Sequence, residues 1–187
     1  PNTWLDHPED GPYWWQFNIE KGHDQIETPM YHLGGWFDIF LAGTLKHFSG
    51  LKKRARTPEA RQSQKLILGP WVHGPTNVNK QVAGEFDFGA AAAVDFNELR
   101  LPWFDYWLKG ERNGVMDSAP VRLFVMGKNR WVDADAWPPS GSTKTRFYLR
   151  SDGQQAVTAR GNGELSLKEP GDEKADNYSF DPRDLLM

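Results

Sequence analysis

The sequence predicts an α/β unit followed by the start of an all-β unit. Three observations carry that expectation. Met30-Tyr31-His32-Leu33 and Lys65-Leu66-Ile67-Leu68 are short strand-like runs, and the stretch between them repeats its apolar residues at the helical period. A strand, helix and strand in that order form a βαβ unit, which implies a parallel sheet with a right-handed crossover. Near residue 115 the pattern changes to short strand-like runs separated by Gly, Pro, Asn and Asp clusters, which argue for a β-sandwich. The chain also carries nine Trp and eleven Phe in 187 residues, and such rings need a broad core or pocket wall to pack against.

Taken in order, residues 1–28 are polar and aromatic, broken by Pro8, Gly11, Pro12 and Gly22. Pro12-Tyr13-Trp14-Trp15 is suited to open a short helix, with proline in its first turn. Thr28-Pro29 ends that region and starts an extended segment. The strand Met30–Leu33 is expected to turn at Gly34-Gly35. Phe40, Leu41, Leu45, Phe48 and Leu51 then fall at helical spacing, so an amphipathic helix follows Asp38. Its end carries Lys52, Lys53, Arg54 and Arg56, where cations complement the helix dipole. Arg54 to Gln64 reads as a polar connection, and Gly69-Pro70 is expected to stop the second strand. Residues 74–88 read as a loop. Ala90 to Leu108 reads as a second helix, with Phe96, Leu99, Trp103, Phe104 and Trp107 on one side. Pro102 is expected to kink or break it, because an interior proline costs about 3 kcal/mol. A linker, Gly110 to Pro120, leads to the strand-like runs Val121–Met126 and Thr145–Leu149. Pro138-Pro139, Gly141, Asp152-Gly153 and Gly161-Asn162-Gly163 mark turns. No internal repeat is visible. Each half is incomplete as a domain, so a fragment of a longer protein is expected, ending inside a sandwich at Leu185-Leu186-Met187.

Composition narrows the function classes. Net charge is −3, and the one basic cluster reads as a solvated helix end, which argues against nucleic-acid binding. The absence of cysteine excludes disulfides, thiolate zinc sites and a cysteine nucleophile. No apolar run approaches the ~20 residues of a membrane span. A soluble globular protein is expected, its compartment open between cytoplasm and export and its oligomeric state open to a homo-oligomer.

The chemistry concentrates in two segments, Gly34-Gly35-Trp36-Phe37-Asp38 and Gly69-Pro70-Trp71-Val72-His73. Each runs off the C-terminal end of a predicted strand and presents one ionisable residue there. Open α/β sheets place their sites in that crevice. Asp38 and His73 are therefore candidate members of a Ser-His-Asp network, with the carboxylate orienting the imidazole that acts as base. Taken singly, Asp38 reads as a helix N-cap and His73 as an exposed loop residue, and it is their pairing at consecutive parallel strand ends that favours catalysis. No Gly-x-Ser-x-Gly is present, so the nucleophile is expected upstream. Trp36, Phe40 and Trp71 are candidate walls of the substrate pocket. His7, His23, His32 and His47 lack metal-ligand spacing. His32 is expected inside the sheet and His47 on the surface. Gly161-Asn162-Gly163 reads as a turn and not as a phosphate loop, since no helix pattern follows it. Asp133, Asp135 and Glu98 form no carboxylate pair. No cofactor or metal is expected.

Gly34-Gly35-Trp36-Phe37-Asp38-Ile39-Phe40, Leu68-Gly69-Pro70-Trp71-Val72-His73-Gly74, the run Leu101 to Gly110 and Val121 to Trp131 together resemble the cocaine esterase-like hydrolases, a group similar to X-Pro dipeptidyl-peptidases and α-amino acid ester hydrolases. The resemblance implies an α/β-hydrolase core over residues 1–115, with residues 1–25 as the tail of a helical cap, and the start of a non-catalytic jelly-roll over 116–187. It implies that Asp38 and His73 are the triad acid and base, that Phe40 lines the acyl pocket, and that a small ester or peptide is the substrate. Two departures stand out. Phe40 and Leu41 occupy places where the amino acid ester hydrolases carry acidic residues, which argues against an α-amino acyl substrate. Pro102 replaces a polar residue in the Leu-x-Trp-Phe-Asp motif. The alternative to an enzyme is a jelly-roll binding module on a degenerate hydrolase, with Trp131 or Trp137 either stacking on a sugar or buried in the core.

Overall fold

The computed structural model describes residues 2–151, 163–172, 175 and 183. The expected turns at Asp152-Gly153 and Gly161-Asn162, and the end at Leu185-Leu186-Met187, lie outside the described residues. The chain forms two compact units, Pro1–Ser140 and Gly141–Met187.

The first unit opens with two short helices, α1 (Asn2–Leu5) and α2 (Pro12–Trp15), and a 3-10 helix (Ile19–Gln25). Pro12 sits in the first turn of α2 as expected. Strand β1 (Met30–Phe37), helix α3 (Leu41–Arg54), helix α4 (Pro58–Gln62) and strand β2 (Gln64–Val72) follow. β1 and β2 pair in parallel, with Met30 opposite Gln64 and Gly35 opposite Gly69, so the βαβ unit expected from the sequence is present. α3 buries Phe48 and Leu51, two of the five residues that define its apolar period. α4 was not legible as a helix. Thr57 caps it by accepting from the Ala60 N–H at 3.1 Å, and Ala60 is buried.

Both strands run on through the dipeptides expected to end them. The glycines serve close approach instead of turning. A Cβ on Gly35 would stand 2.0 Å from the Trp71 carbonyl oxygen, and one on Gly69 would meet the Trp71 ring at 2.4 Å. The register shifts between Gly35 and Phe37, which pairs with Val72. One residue of β1, Trp36, thus faces two of β2, Pro70 and Trp71, a bulge of the kind that re-aims side chains near a site.

After β2 come a 3-10 turn (Pro75–Asn77), the small hairpin β3 (Val82–Ala83) with β4 (Phe86–Asp87), and a second 3-10 turn (Ala90–Ala92). Helix α5 spans Phe96–Lys109, shorter at its start than expected. It is capped by Asp95, which accepts from the Asn97 N–H at 2.8 Å, and closed by Gly110 at φ 74°. Pro102 does not divide it into two helices.

Strands β5 (Val121–Val125) and β6 (Arg130–Ala134) extend the same sheet, whose order is β1-β2-β5-β6. β5 pairs in parallel with β2, and β6 returns antiparallel. The pattern change near residue 115 therefore does not divide this sheet, and the first unit reaches Ser140. Phe48, Leu66, Leu68, Val121 and Leu123 form the core on the α3 side, and Ile67, Trp71 and Val78 form another cluster. Their alternation along β2 fits a strand covered on both faces.

The second unit contains one antiparallel pair among the described residues, β7 (Tyr148–Arg150) with β8 (Glu164–Ser166). No helix among the described residues is long and apolar enough to cross a membrane.

Candidate active site

Asp38 lies just past β1 and His73 just past β2, at the same edge of adjacent parallel strands. His73 Nδ1 is 3.1 Å from Asp38 Oδ1 and 3.3 Å from Oδ2. An ionised carboxylate only accepts, so Nδ1 is the donor and Nε2 is left with the lone pair. No described residue bonds that second nitrogen. The Asp38 side chain is 14% exposed and the His73 side chain 58%, so the acid is shielded while the base stays open to an incoming group.

Each member is held locally. Asp38 Oδ1 also accepts the Phe40 N–H at 2.8 Å, and the Asp38 N–H donates to the Gly35 carbonyl at 3.0 Å. These bonds pin the carboxylate in the turn between β1 and α3. The N-cap position of α3 is Phe40 and not Asp38. On the other side, Asn77 Nδ2 donates to the His73 carbonyl at 2.6 Å, and Asn77 Oδ1 accepts from Lys80 Nζ at 2.9 Å. Gly74, at φ 107°, turns the chain away from the imidazole in a region that favours glycine. Sequence reasoning did not single out Asn77. Its position four residues after His73 carries no signal without the turn.

The other expected site residues divide. Phe40 is 60% exposed, and its ring meets that of His73 edge-on with centroids 5.0 Å apart. Trp71 is instead a core residue. It is 2% exposed, and its indole N–H donates to the Ala92 carbonyl at 2.8 Å. Trp36 sends its N–H to the Phe124 carbonyl at 2.7 Å and packs against the core on the α3 side. Neither indole lines the cavity beside the pair, and Phe40 meets His73 outside that lining. Side chains alternate along a strand, and a run of aromatics before Asp38 and His73 does not reveal which of them face inward.

That cavity measures about 670 Å³ and is bounded by Asp38 and His73 at one end and by Tyr31, Leu33, Leu99 and Trp103 along its walls. Arg100 adds a charged guanidinium to the lining, while two other polar groups, Tyr31 and His32, are shifted toward their neutral forms. Burial pushes the Tyr31 hydroxyl upward. It pushes the His32 imidazole downward, against the opposing influence of a 2.9 Å hydrogen bond to Gln64 Oε1. His32 is thus packed in the sheet as expected. His47 is not a free surface residue, since its Nδ1 lies 2.9 Å from His23 Nε2. Trp131 donates to the Ala91 carbonyl at 2.7 Å, and Trp137 packs against Trp36 with centroids 6.0 Å apart. Both are engaged within the first unit. No group of three or more His, Asp or Glu able to hold a metal occurs among the described residues.

Known proteins are similar to this chain in sequence and fold. The profile of the X-Pro dipeptidyl-peptidase (S15 family) matches residues 1–75, and that of the X-Pro dipeptidyl-peptidase C-terminal non-catalytic domain matches residues 113–185. Cocaine esterase of Rhodococcus sp. (strain MB1 Bresler) is 34% identical over 183 residues, 96% of this chain. The chain belongs to the cocaine esterase-like, S15-type hydrolase family. It spans 30% of the length of that esterase. Among solved structures, an aminopeptidase from a marine sediment Thaumarchaeota archaeon superposes with a TM-score of 0.71 at 25% identity, covering 93% of this chain and 27% of the other. An α-amino acid ester hydrolase gives a TM-score of 0.69 at 22% identity, covering 93% and 28%. This second likeness speaks to the fold alone. The hydrolase family's chain thus has an α/β character here, with β5 and β6 continuing the sheet into the segment matched by the C-terminal profile.

Proposed function

We propose that this chain is the C-terminal part of a serine acyl hydrolase that cleaves an ester or amide bond, with His73 as general base and Asp38 as the acid that orients it. The observation that carries this reading is the 3.1 Å hydrogen bond between Asp38 and His73 at neighbouring parallel strand ends. The order Ser…Asp…His of α/β-hydrolases puts the nucleophilic serine, with its oxyanion donors, upstream of Pro1. A non-catalytic jelly-roll follows β5 and β6, the strands that continue the hydrolase sheet into the segment matched by the C-terminal profile.

In the intact enzyme the serine Oγ attacks the carbonyl carbon, and its proton passes to His73 Nε2. The Nδ1–H of the imidazolium remains on Asp38, which stabilises the charge as it forms. The tetrahedral intermediate then expels the alcohol or amine, which takes the proton from Nε2. Water repeats the sequence, releasing the acid and restoring the serine. Phe40, edge-on to the imidazole, offers an apolar surface beside the acyl group. An acyl group without a free α-ammonium suits it, since no carboxylate stands at position 40 or 41.

The test is His73→Ala in the protein that includes the upstream segment, assayed on an aryl ester. Loss of a triad member costs about 10⁴- to 10⁶-fold in kcat. Turnover within tenfold of the unmodified enzyme would overturn the assignment.

A further inference from the structure

Away from the Asp38–His73 pair, three side chains interlock between the 3-10 helix Ile19–Gln25 and α3. His23 is 1% exposed, and both its ring nitrogens are engaged. Nδ1 lies 2.9 Å from Arg54 Nη2, and Nε2 lies 2.9 Å from His47 Nδ1. The ring rests against α3 at Gly50, where a Cβ would come within 2.3 Å of two of its atoms. Arg54 also donates to the Glu20 carbonyl at 3.2 Å, which ties its head to the 3-10 helix.

The guanidinium settles the tautomers. Arginine only donates, so His23 Nδ1 must accept. The proton of the neutral ring is therefore on Nε2, where it is given to His47 Nδ1. His47 in turn keeps its own proton on Nε2. A second proton on His23 has a single place to go, Nδ1, where it would face the Arg54 donor and its positive charge. The contact can form only while His23 is neutral.

Arg54 and His47 from α3, with burial the largest influence, hold His23 below the ordinary histidine range, while Glu20 and Asp24 on its own helix act in the opposite sense. His32 on β1 is near enough to be affected by both His23 and His47.

We propose that His23, Arg54 and His47 form an acid-released latch, holding residues 19–25 against α3 while His23 is neutral and freeing them when it takes a proton. The sign follows from the free state. An unconstrained histidine titrates at about 6.5, and the latched ring titrates lower. The latch is therefore complete above that pH. Each unit below it weakens closure about tenfold, until the latched ring itself takes a proton. Release acts at the start of β1, at the opposite end of the strand from Asp38.

His23→Gln separates this from other acid effects. Its amide oxygen can accept from Arg54 and its amide nitrogen can donate to His47, with no proton to gain. Hydrogen exchange read by mass spectrometry on the protein that includes the upstream segment, at pH 7.5, 6.5 and 5.5 and corrected for intrinsic rates, reports closure directly. Peptides covering residues 19–26 should lose protection about tenfold per unit below pH 6.5 in the unmodified chain. They should stay level in His23→Gln, with β2 unchanged in both. Level protection in the unmodified chain would overturn the latch, and so would an equal loss in the variant, which would assign the effect to His32 or to the whole unit. Nitrogen-15 NMR of the unmodified chain at pH 7.5 tests the same point without a variant. It should find His23 protonated at Nε2 alone, and a proton on Nδ1 would refute the arrangement.

Discussion

Gly35→Ala is the perturbation that asks most of this account. The added Cβ would stand 2.0 Å from the Trp71 carbonyl oxygen and 2.7 Å from its carbon, where ordinary contact begins at 3.4 Å. The obstacle is backbone, so no side chain can swing aside. β1 and β2 must part by more than about 1 Å at a point three residues before Asp38 and two before His73. The hydrogen bond at issue is 3.1 Å, already close to the ~3.2 Å limit of a good N–H···O contact. Parting the strands therefore breaks it or rotates it out of line. A misplacement of about 1 Å in a catalytic group costs on the order of 10²-fold in rate, and forcing atoms into a filled site costs about 1–3 kcal/mol of stability. Kinetics on an aryl ester in the intact enzyme, together with a melting curve, read the two effects separately. The expected result is a kcat lowered about 100-fold, with KM nearly unchanged and a lower Tm. Wild-type kcat with a wild-type Tm would refute the claim that strand spacing sets the Asp38–His73 geometry.

Two further outcomes follow from where the aromatics sit. Trp71→Phe removes the indole donor from the Ala92 carbonyl and leaves a buried acceptor unpaired, which costs about 1–3 kcal/mol. Denaturant unfolding should show that loss, while the ranking of ester substrates stays the same. Phe40→Ala should do the opposite. The ring is 60% exposed, so stability should move by less than about 0.5 kcal/mol, while KM for bulky apolar acyl esters rises and that for acetyl esters does not.

The parts of the fold legible in the sequence were those governed by periodicity. α3 and the β1–α3–β2 unit follow from spacing alone, and Asp38 and His73 follow from their place at the strand ends. Glycine was less legible because it answers two different demands. Gly34-Gly35 and Gly69-Pro70 look like turns, yet they lie within strands, and only the approach of Trp71 to Gly35 explains why. The same limit applies to position 115. Composition marks a change there, but the parallel pairing of Leu66 with Val121 is a long-range contact that no local pattern encodes. Trp36 and Trp71 sat correctly in sequence beside the pair but face the core. His47 looked like a surface residue because its partner, His23, lies 24 positions away.

The most direct measurement is a double-mutant cycle on kcat/KM in the intact enzyme, comparing Asp38→Ala, His73→Ala and the two combined. Groups acting as one unit are far from additive. The account predicts that the double variant is no slower than His73→Ala alone. Losses that multiply would show that the two side chains act independently, and would contradict it.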